Sequence, residues 1–313
     1  MVKVVVAGAT GVVAREVIDK IIAKNKHDVV GLSRNVVTES GDDGIKWVQV
    51  DYQSQDSLVK VLEGADTVLC FFSGTSMADT QKNIIDAAIK AGVRRFAPSE
   101  WGTSKSNGGV AFYAFKDEVR AYLEKVNAEK KVLEYTLFQT GLFTDYFGHP
   151  YGTTRHLKPI QMYVDFNNRR AIAVGDGDSP ITLTTVNDIA SVVTEAIDYL
   201  GEWPVIGGIS GTQTTVGGLI RLGEKLRGDF TVDKLALEDL EAGELKSSWY
   251  PLIDHHSVPE DLRHQMSKGA TIEFVRAGAM GTWSVSDEWN RLLPGYRFTS
   301  AEEYLTKVWE GKP

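Results

Sequence analysis

The feature that most constrains the fold is a glycine-rich turn that joins a valine-rich run to an amphipathic stretch. The run from Val2 to Ala7 is almost continuously apolar, which is typical of a strand buried on both faces of a sheet. From Ala14 to Lys24 the apolar side chains instead recur at helical spacing. The turn between the two segments therefore has to connect a buried strand directly to a helix.

The chemistry of this turn favours a phosphate ligand. Gly8 permits a tight turn, and Gly11 lets a pyrophosphate approach the backbone without meeting a Cβ atom. The N-terminus of the following helix offers free N–H groups and a positive dipole end, and Ala14 is a small residue where helix and strand must pack closely. We therefore expect a dinucleotide-binding turn, with a plain structural turn as the alternative. The candidate cofactor contacts here are Gly8, Thr10, Gly11, Val12 and Val13.

Strand-like and helix-like segments continue to alternate through the first 140 residues. The pattern predicts further strands at residues 29–32, 46–50, 67–72, 95–97 and 134–139, and helices at residues 55–63, 80–91 and 115–127. Strands separated by helices imply right-handed crossovers and a parallel sheet. The predicted fold class is α/β, a Rossmann-type doubly wound parallel sheet with a smaller, interleaved C-terminal substrate domain.

The residues after the second strand indicate which dinucleotide binds. An NAD-preferring site usually has an acidic residue there for the ribose hydroxyl, whereas this chain has Ser33, Arg34 and Asn35. The guanidinium of Arg34 can pair with a 2′-phosphate as a two-pronged donor, so we expect NADP(H); a solvated loop arginine is the alternative. Asp51 and Tyr52 end the third strand and are candidates for the adenine edge and face, with helix capping as the alternative for Asp51.

The alternation stops after about residue 142, where a loop rich in Gly, Thr, His and Pro begins. We expect residues 1–145 to form the NADP(H)-binding domain and residues 146–313 a substrate-binding region, of which about residues 171–200 return to the first domain. In this second half the pattern predicts strands at residues 171–177 and 181–185 and helices at residues 187–199, 216–226 and 300–309. The last helix begins with the capping-box pattern of Ser300 and Glu303.

Composition excludes several classes of function. The chain of 313 residues has 34 Lys and Arg against 42 Asp and Glu, a net charge of −8, which argues against a nucleic-acid partner. No apolar run approaches the roughly 18 residues of a membrane span, and no secretory signal is visible. Cys70 is the single cysteine, so no internal disulfide can form. We therefore expect a cytoplasmic protein with a small-molecule partner and no membrane partner.

Four motifs in order resemble the NmrA-like and isoflavone-reductase-like branch of the atypical short-chain dehydrogenases. The glycine turn is the first, and residues 92–102, Gly-Val-Arg-Arg-Phe-Ala-Pro-Ser-Glu-Trp-Gly, resemble the family's "KRF-PSEFG" segment with Trp101 in place of the usual phenylalanine. The third is the stretch from Tyr113 to Lys116, and the fourth, residues 174–177 and 182–189, resembles "GDG…TTV-DIG". The resemblance implies a Rossmann domain, a smaller substrate domain and NADPH as the cofactor.

The same resemblance implies catalytic residues. Lys116 matches the lysine beyond "PSEFG" that is thought to act as acid and base and to contact the nicotinamide ribose; an exposed helix lysine paired with Asp117 or a neighbouring glutamate is the alternative. Such a role requires that burial or nearby positive charge lower the pKa of the amine. The short-chain-dehydrogenase tyrosine four residues earlier is absent, since Phe112 stands there. Tyr113 shares the face three residues before the lysine, and Glu100 is a further acid/base candidate.

The strand ends supply the remaining cofactor and substrate candidates, because ligands of doubly wound sheets bind beyond the carboxyl ends of the strands. Core packing is the alternative for each aromatic residue among them. The candidates for the nicotinamide end of the cofactor are Phe72, Ser73, Gly74, Ser99, Lys116, Gln139, Thr140 and Gly141. The candidates for an aromatic-rich substrate pocket are Trp101, Phe143, Tyr146, Phe147, His149 and Trp249. The adjacent His255 and His256 do not have metal-ligand spacing, so we expect no metal site.

Three functions fit these residues. The first is an NADPH-dependent reductase of a small aromatic, polyketide-like or alkaloid-like metabolite, with Lys116 assisting proton movement. The second is a non-redox isomerase or rearrangement enzyme of secondary metabolism that retains NADP(H) and uses acid/base residues such as Lys116, Glu100 or Asp145. The third is an NADP(H)-sensing regulator of the NmrA-like kind, which alone would require a protein partner.

Overall fold

A computed structural model describes residues 1–37, 43–74, 77–104, 110–253 and 260–313. Within these ranges the strands are β1 Lys3–Ala7, β2 Asp28–Ser33, β3 Ile45–Gln49, β4 Ala65–Cys70, β5 Arg95–Ala97, β6 Glu134–Tyr135, β7 Leu137–Gln139, β8 Leu142–Phe143, β9 Val164–Asp165, β10 Arg170–Val174, β11 Pro180–Thr184, β12 Ile206–Gly208, β13 Thr212–Thr215 and β14 Thr231–Leu235. The α-helices are α1 Val12–Ala23, α2 Gln55–Leu62, α3 Met77–Lys90, α4 Ala114–Val126, α5 Val186–Asp198, α6 Val216–Arg227, α7 Leu237–Glu241, α8 Arg263–Ala279, α9 Glu288–Leu292 and α10 Ala301–Trp309.

The central element is a parallel sheet of six strands in the order β3-β2-β1-β4-β5-β6. β1 pairs in parallel with both β2 and β4, so the chain reverses its direction of strand addition beside β1. That reversal creates a crevice at the carboxyl ends of β1 and β4, where doubly wound folds bind ligands. The predicted α/β fold class with a doubly wound parallel sheet is confirmed.

Helices cover both faces of this sheet, and the alternation of side chains along β1 shows how. Val4 and Val6 point to the face that carries α1 and α5, where they join one buried apolar cluster. Val5 and Ala7 point to the opposite face, which is covered by α2, α3 and α4. Burial on both faces explains why β1 is a continuous apolar run rather than an alternating one.

The predicted sixth strand, residues 134–139, is in fact two short strands. β6 pairs with β5 and completes the six-stranded sheet, whereas β7 pairs with β12 in a separate two-stranded sheet. Thr136 separates them: its N–H still donates to Phe96, but the N–H of the next residue, Leu137, donates to Val205. The partner on the far side changes because β12, from the second half of the chain, competes for this edge. Most other predicted bounds shift by one or two residues, although α3 begins at Met77 rather than at residue 80.

The second half of the chain builds its own apolar cluster, which includes Phe147, Phe166, Leu219 and Trp283. Its sheets have the orders β14-β10-β9 and β13-β11-β8. In the segment predicted to return to the first domain, α5 does pack against α1, but β10 pairs with β14 and so belongs to the second half. Ser300 caps α10 by accepting from the N–H of Glu303, as its capping-box pattern predicts. In the described part of the chain, no helix combines the length and the apolar character that a membrane crossing requires.

Gly8 brings the backbone that follows β1 directly against the backbone that follows β4. Its φ of 74° lies in the left-handed region, and a Cβ atom there would stand 2.1 Å from the carbonyl oxygen of Phe71, at the end of β4. Only glycine meets both requirements, because other residues pay strain for this φ and would displace the β4 backbone as well. Gly8 therefore sets how closely the ends of β1 and β4 approach.

We expect Gly8→Ala to lower the stability of the protein far more than Gly64→Ala. Gly64 has nearly the same φ, 71°, but a Cβ atom added there would have no neighbour within 4 Å. The Gly64 variant should lose about 1 kcal/mol through backbone strain alone, whereas the Gly8 variant adds a backbone clash and should lose about 3 kcal/mol. Thermal unfolding followed by circular dichroism measures both. Equal losses would show that the close approach to Phe71 has no energetic consequence.

Candidate active site

A cleft runs along the carboxyl ends of the central strands and has two connected compartments. The larger has a volume of about 860 Å³ and the smaller about 340 Å³. Both are lined by Gly11, Phe71, Phe72 and Ser73, so these residues stand at their junction. The larger compartment is lined further by Gly8, Thr10, Leu32, Ser33, Arg34, Asn35, Gln49, Val50, Asp51, Tyr52, Gln53, Met77 and Thr80. The smaller is lined further by Val12, Val13, Ala14, Gly74, Ser99, Glu100, Trp101, Phe112, Tyr113, Phe115, Lys116, Phe143 and Tyr146.

The first turn of α1 lies at the junction of the compartments and suits an anion. Gly11 is its N-cap and provides no side-chain acceptor for the first helical N–H groups. No acidic residue occupies the first turn either. The positive end of the helix dipole and its free N–H groups therefore face the cleft, which is the arrangement that binds phosphate.

The end of β2 brings the predicted selectivity residues to the larger compartment. Arg34 lines it together with Ser33 and Asn35. The backbone here is ordered by side chains: Gln49 donates from Nε2 to the carbonyl of Arg34 at 3.1 Å, and the Asn35 N–H donates to Ser33 Oγ at 3.2 Å. The Arg34 guanidinium thus extends from an anchored turn beside the cleft.

Asp51 and Tyr52 have different roles from one another. The Asp51 carboxylate accepts from the N–H of Gln53 at 2.9 Å, whereas the N-cap of α2 is Ser54, so the helix-capping alternative for Asp51 is wrong. The Tyr52 hydroxyl accepts from the Gly8 N–H at 3.2 Å and donates to the carbonyl of Leu32 at 3.3 Å. Burial raises the pKa of Tyr52 to about 12. Tyr52 therefore ties the glycine turn to the end of β2 besides lining the cleft.

Lys116 lies in the first turn of α4 and lines the smaller compartment. Its side chain is buried, at 4% exposure, so the alternative of an exposed helix lysine is wrong. Nζ donates to the main-chain carbonyl of Glu100 and lies 3.7 Å from the centre of the Tyr113 ring. Burial lowers the pKa of Lys116 to about 8, with a smaller raising contribution from Glu100. An amine with this pKa can both hold and release a proton near neutral pH.

The carboxylate of Glu100 is held by Arg120, a residue that the sequence analysis missed. Arg120 donates from Nε to Oε1 at 2.9 Å and from Nη2 to Oε2 at 2.5 Å, a two-pronged and buried ion pair. Both oxygens of the Glu100 carboxylate are thus bound by the guanidinium, an arrangement that disagrees with the predicted acid/base role of Glu100. The signal in the sequence was the spacing of Arg120 one helical turn beyond Lys116.

The turns after β4 and β5 are fastened to each other behind the cleft. Ser99 Oγ accepts from the N–H of Phe72 and donates to its carbonyl, both at 2.8 Å. The Trp101 indole N–H donates to the carbonyl of Cys70 at 2.8 Å, and the indole stacks on Phe71 with centroids 4.3 Å apart. The wall of the smaller compartment is therefore rigid and aromatic.

The predicted substrate residues divide into two groups. Trp101, Phe143 and Tyr146 line the smaller compartment, next to Lys116. Phe147 and Trp249 do not. Phe147 is fully buried in the apolar cluster of the second half, and Trp249 lies under the guanidinium of Arg170 at 4.0 Å.

Four further predicted residues also line neither compartment. Gln139 and Thr140 are buried. Gly141 is packed against Thr182. His149 lies outside both compartments, with a buried Nδ1 atom and a pKa that burial lowers. Gln139 ends β7, and Thr140 and Gly141 form the turn after it, where the N–H groups of both donate to the carbonyl of Gly102.

The remaining candidates are the histidines considered as metal ligands and the acid/base candidate Asp145. Among the described residues no group of His, Cys, Asp or Glu could hold a metal ion, while His255 and His256 lie outside the described residues. Asp145 is buried beside Tyr146, with Oδ2 accepting from the Val186 N–H at 2.8 Å. Burial raises the pKa of Asp145 to about 6 despite that hydrogen bond. The Asp145 carboxyl group therefore loses its proton at about pH 6 rather than in the usual range of an aspartate.

The model of the NmrA-like family matches residues 2–305. A curated relative, oxidoreductase BOA1 of Botryotinia fuckeliana, is 28% identical over 244 residues, which cover 73% of this chain and 77% of the relative.

Two solved structures share the fold over almost the whole chain. The crystal structure of an isoflavone reductase has 20% identity and a TM-score of 0.70, with 97% of this chain and 98% of that one covered. The NADPH-dependent quinone oxidoreductase QOR2 of Escherichia coli, complexed with NADPH, has 22% identity and a TM-score of 0.68, covering 98% of this chain and 99% of that one.

The environment of Asp145 predicts a pH dependence of stability. Because the pKa of Asp145 is raised in the folded state, its favourable contribution is complete below pH 3.8 and is lost as the pH rises through about 6. The loss amounts to about 3 kcal/mol. Asp145→Asn cannot ionise, so its melting temperature relative to that of the wild type should increase from pH 4.5 to pH 7.5. Asp178→Asn, at an exposed position, is the control; the same difference at both pH values for Asp145→Asn would contradict the prediction.

Proposed function

The chain belongs to the NmrA-like family, and we propose that it is an NADP(H)-dependent reductase of a small aromatic metabolite of polyketide-like or alkaloid-like type. Membership confirms the resemblance carried by the four sequence motifs. One observation carries the proposal: the buried amine of Lys116 and the uncapped N-terminus of α1 line the same 340 Å³ compartment. A proton donor and a phosphate-binding turn thus share one cleft. The name of the curated relative, an oxidoreductase, supports the same activity.

The residues present fit NADP(H). The α1 N-terminus would hold the pyrophosphate, and Arg34 would bind the 2′-phosphate in the larger compartment. Ser73, Gly74 and Trp101 would border the nicotinamide in the smaller one. When bound, NADPH supplies a hydride. The quinone oxidoreductase with the same fold is described as NADPH-dependent, which supports this cofactor.

The part of the protein's own residues is proton transfer and orientation. A carbonyl carbon or activated double bond that accepts a hydride also requires a proton at its oxygen or neighbouring atom. Lys116 would donate that proton from Nζ and then recover one from solvent, which balances the reduction. Burial holds the pKa of this amine at about 8, close to the pH at which it has to exchange a proton. The Tyr113 ring, 3.7 Å from Nζ, restricts the directions that the amine can take.

The smaller compartment supports the proposed substrate class. Trp101, Phe112, Phe143 and Tyr146 offer flat apolar surfaces against which a ring system can stack. The polar groups there are few, which favours a largely apolar ligand with one or two anchoring oxygens. We also propose a cytoplasmic location, supported by the single buried cysteine, Cys70.

Arg34→Ala should weaken NADPH binding much more than NADH binding. The variant loses a charge-assisted pair to the 2′-phosphate, which NADH does not have; the pair contributes about 2 kcal/mol, or roughly thirtyfold in Kd. Fluorescence titration of the purified protein with each dinucleotide measures the two constants. Arg15→Ala, at a cation of α1 that pairs with Asp43 instead, is the control. An equal loss for both dinucleotides would contradict the role of Arg34.

Lys116→Ala should abolish turnover while NADPH binding stays measurable. The test uses NADPH deuterated at C4, each epimer separately, with a metabolite extract of the source organism and mass spectrometry. Deuterium in one metabolite from one epimer identifies a reductase and its substrate. A new product without deuterium and without a mass change would instead establish a rearrangement. Unchanged turnover in the variant would overturn the assignment of Lys116.

The pH profile should report the ionisation of Lys116. As a proton donor it is active when protonated, so kcat should fall as the pH rises above about 8. Stopped-flow measurement of NADPH oxidation between pH 6 and pH 10 with the identified substrate tests this. A kcat that rises through the same range would mean that Lys116 acts as a base.

A further inference from the structure

Glu100 makes two contacts that point in different directions. Its main-chain carbonyl accepts a hydrogen bond from Lys116 Nζ. Its carboxylate, 1% exposed at the side chain, is held by both prongs of the Arg120 guanidinium at 2.9 and 2.5 Å. One residue thus holds the amine through its backbone while its charged group is directed elsewhere.

A buried carboxylate next to a buried amine would normally form an ion pair with it. Such a pair raises the pKa of the amine and fixes its proton, because both charges are poorly solvated. Lys116 and Arg120 are four residues apart on α4, so they lie on the same helix face and reach the same partner. The guanidinium is the better partner for a carboxylate, since it offers two parallel donors and stays charged.

We propose that Arg120 is a positioning residue for Lys116: by holding the Glu100 carboxylate, it leaves the amine on the Glu100 carbonyl and free of an ion pair. The inference deepens the proposed reductase and rests on the role of Lys116 in proton transfer. It explains why α4 carries a second buried cation that does not line the cleft. Without Arg120, the Glu100 carboxylate would turn to Lys116.

Within the described residues, few charged or titratable groups surround the amine. Asp117 and Tyr113 belong to the same helical segment, and Asp117 lies 3.5 Å from Arg120. Glu100 faces the amine from the turn after β5. Tyr146 lines the same compartment from the turn after β8. The carboxylate of Glu100 is thus the buried anion that can change partners.

The test is the pKa of Lys116 measured directly in the full-length protein without substrate. Acetic anhydride modifies only the unprotonated amine, so the rate at which the Lys116 peptide is acetylated, followed by mass spectrometry against pH, gives that pKa. In Arg120→Met the pKa should rise by about one pH unit or more. Adding Glu100→Gln to Arg120→Met should reverse the rise, because the amine then has no carboxylate to pair with.

A structural role alone would not produce two changes of opposite sign. Glu118→Gln is the control, since Glu118 is an exposed residue of the same helix that pairs with Lys82 at 3.0 Å. In this variant the pKa of Lys116 should equal its value in the wild type. An unchanged pKa in Arg120→Met, or the same pKa in the single and double variants, would overturn the proposal. If Arg120→Met does not fold, Glu100→Gln alone should lower the pKa of Lys116, because Arg120 then acts unopposed, and no change would overturn the proposal equally.

The experiment separates this inference from the proposed function. Turnover that survives Lys116→Ala refutes the catalytic role, whatever the acetylation data show. If the pKa of Lys116 obtained from acetylation is the same in Arg120→Met as in the wild type, the positioning role is refuted, even where Lys116 proves essential. Once a substrate is known, Arg120→Met should also move the descending limb of kcat to higher pH and leave KM nearly unchanged.

Discussion

The close approach of Gly8 to the carbonyl of Phe71 is the contact on which the rest of the site depends. It sets the distance between the ends of β1 and β4 at the place where the order of the strands reverses. From that point α1 starts with its N–H groups directed at the cleft, and Phe71 and Phe72 form the junction of the two compartments. A larger residue would separate the strands and so move the helix end and the aromatic wall together.

The second organising element is a set of buried charges arranged to leave one of them chemically available. Lys116 and Arg120 share a helix face, yet only the arginine is paired with the Glu100 carboxylate. Taking an amine out of water disfavours its protonated form, and a direct ion pair with the Glu100 carboxylate would oppose that effect far more than the present separation does. The carbonyl of Glu100 provides a hydrogen-bond partner without a net charge. The amine is therefore held in place while its pKa stays at about 8, close to neutral pH.

Sequence reasoning succeeded where the determinants are local. The glycine turn, the residues after β2 and the capping box of α10 are each specified within a few positions; the structure places the first two at the cleft and shows Ser300 capping α10. It failed where a distant partner decides. The segment of residues 134–139 forms two strands because β12, about seventy residues further along the chain, pairs with β7. Phe147 and Trp249 are aromatic residues of the kind that lines ligand pockets, but both pack in or against the apolar cluster of the second half. Arg120 escaped notice because its partner lies twenty residues earlier in the chain.

Helix α5 has a consequence for how the molecule can be divided. It belongs to the second half by position in the chain, yet Val186, Ile189 and Val193 complete the apolar layer over Val4 and Val6. A fragment that ends near residue 145 would keep α1 but lose α5, and the part of that sheet face under α5 would become an exposed apolar surface prone to association. The dinucleotide-binding half is therefore not a module that can be excised or grafted by itself. Recombination between members of this fold has to keep α1 and α5 from the same parent.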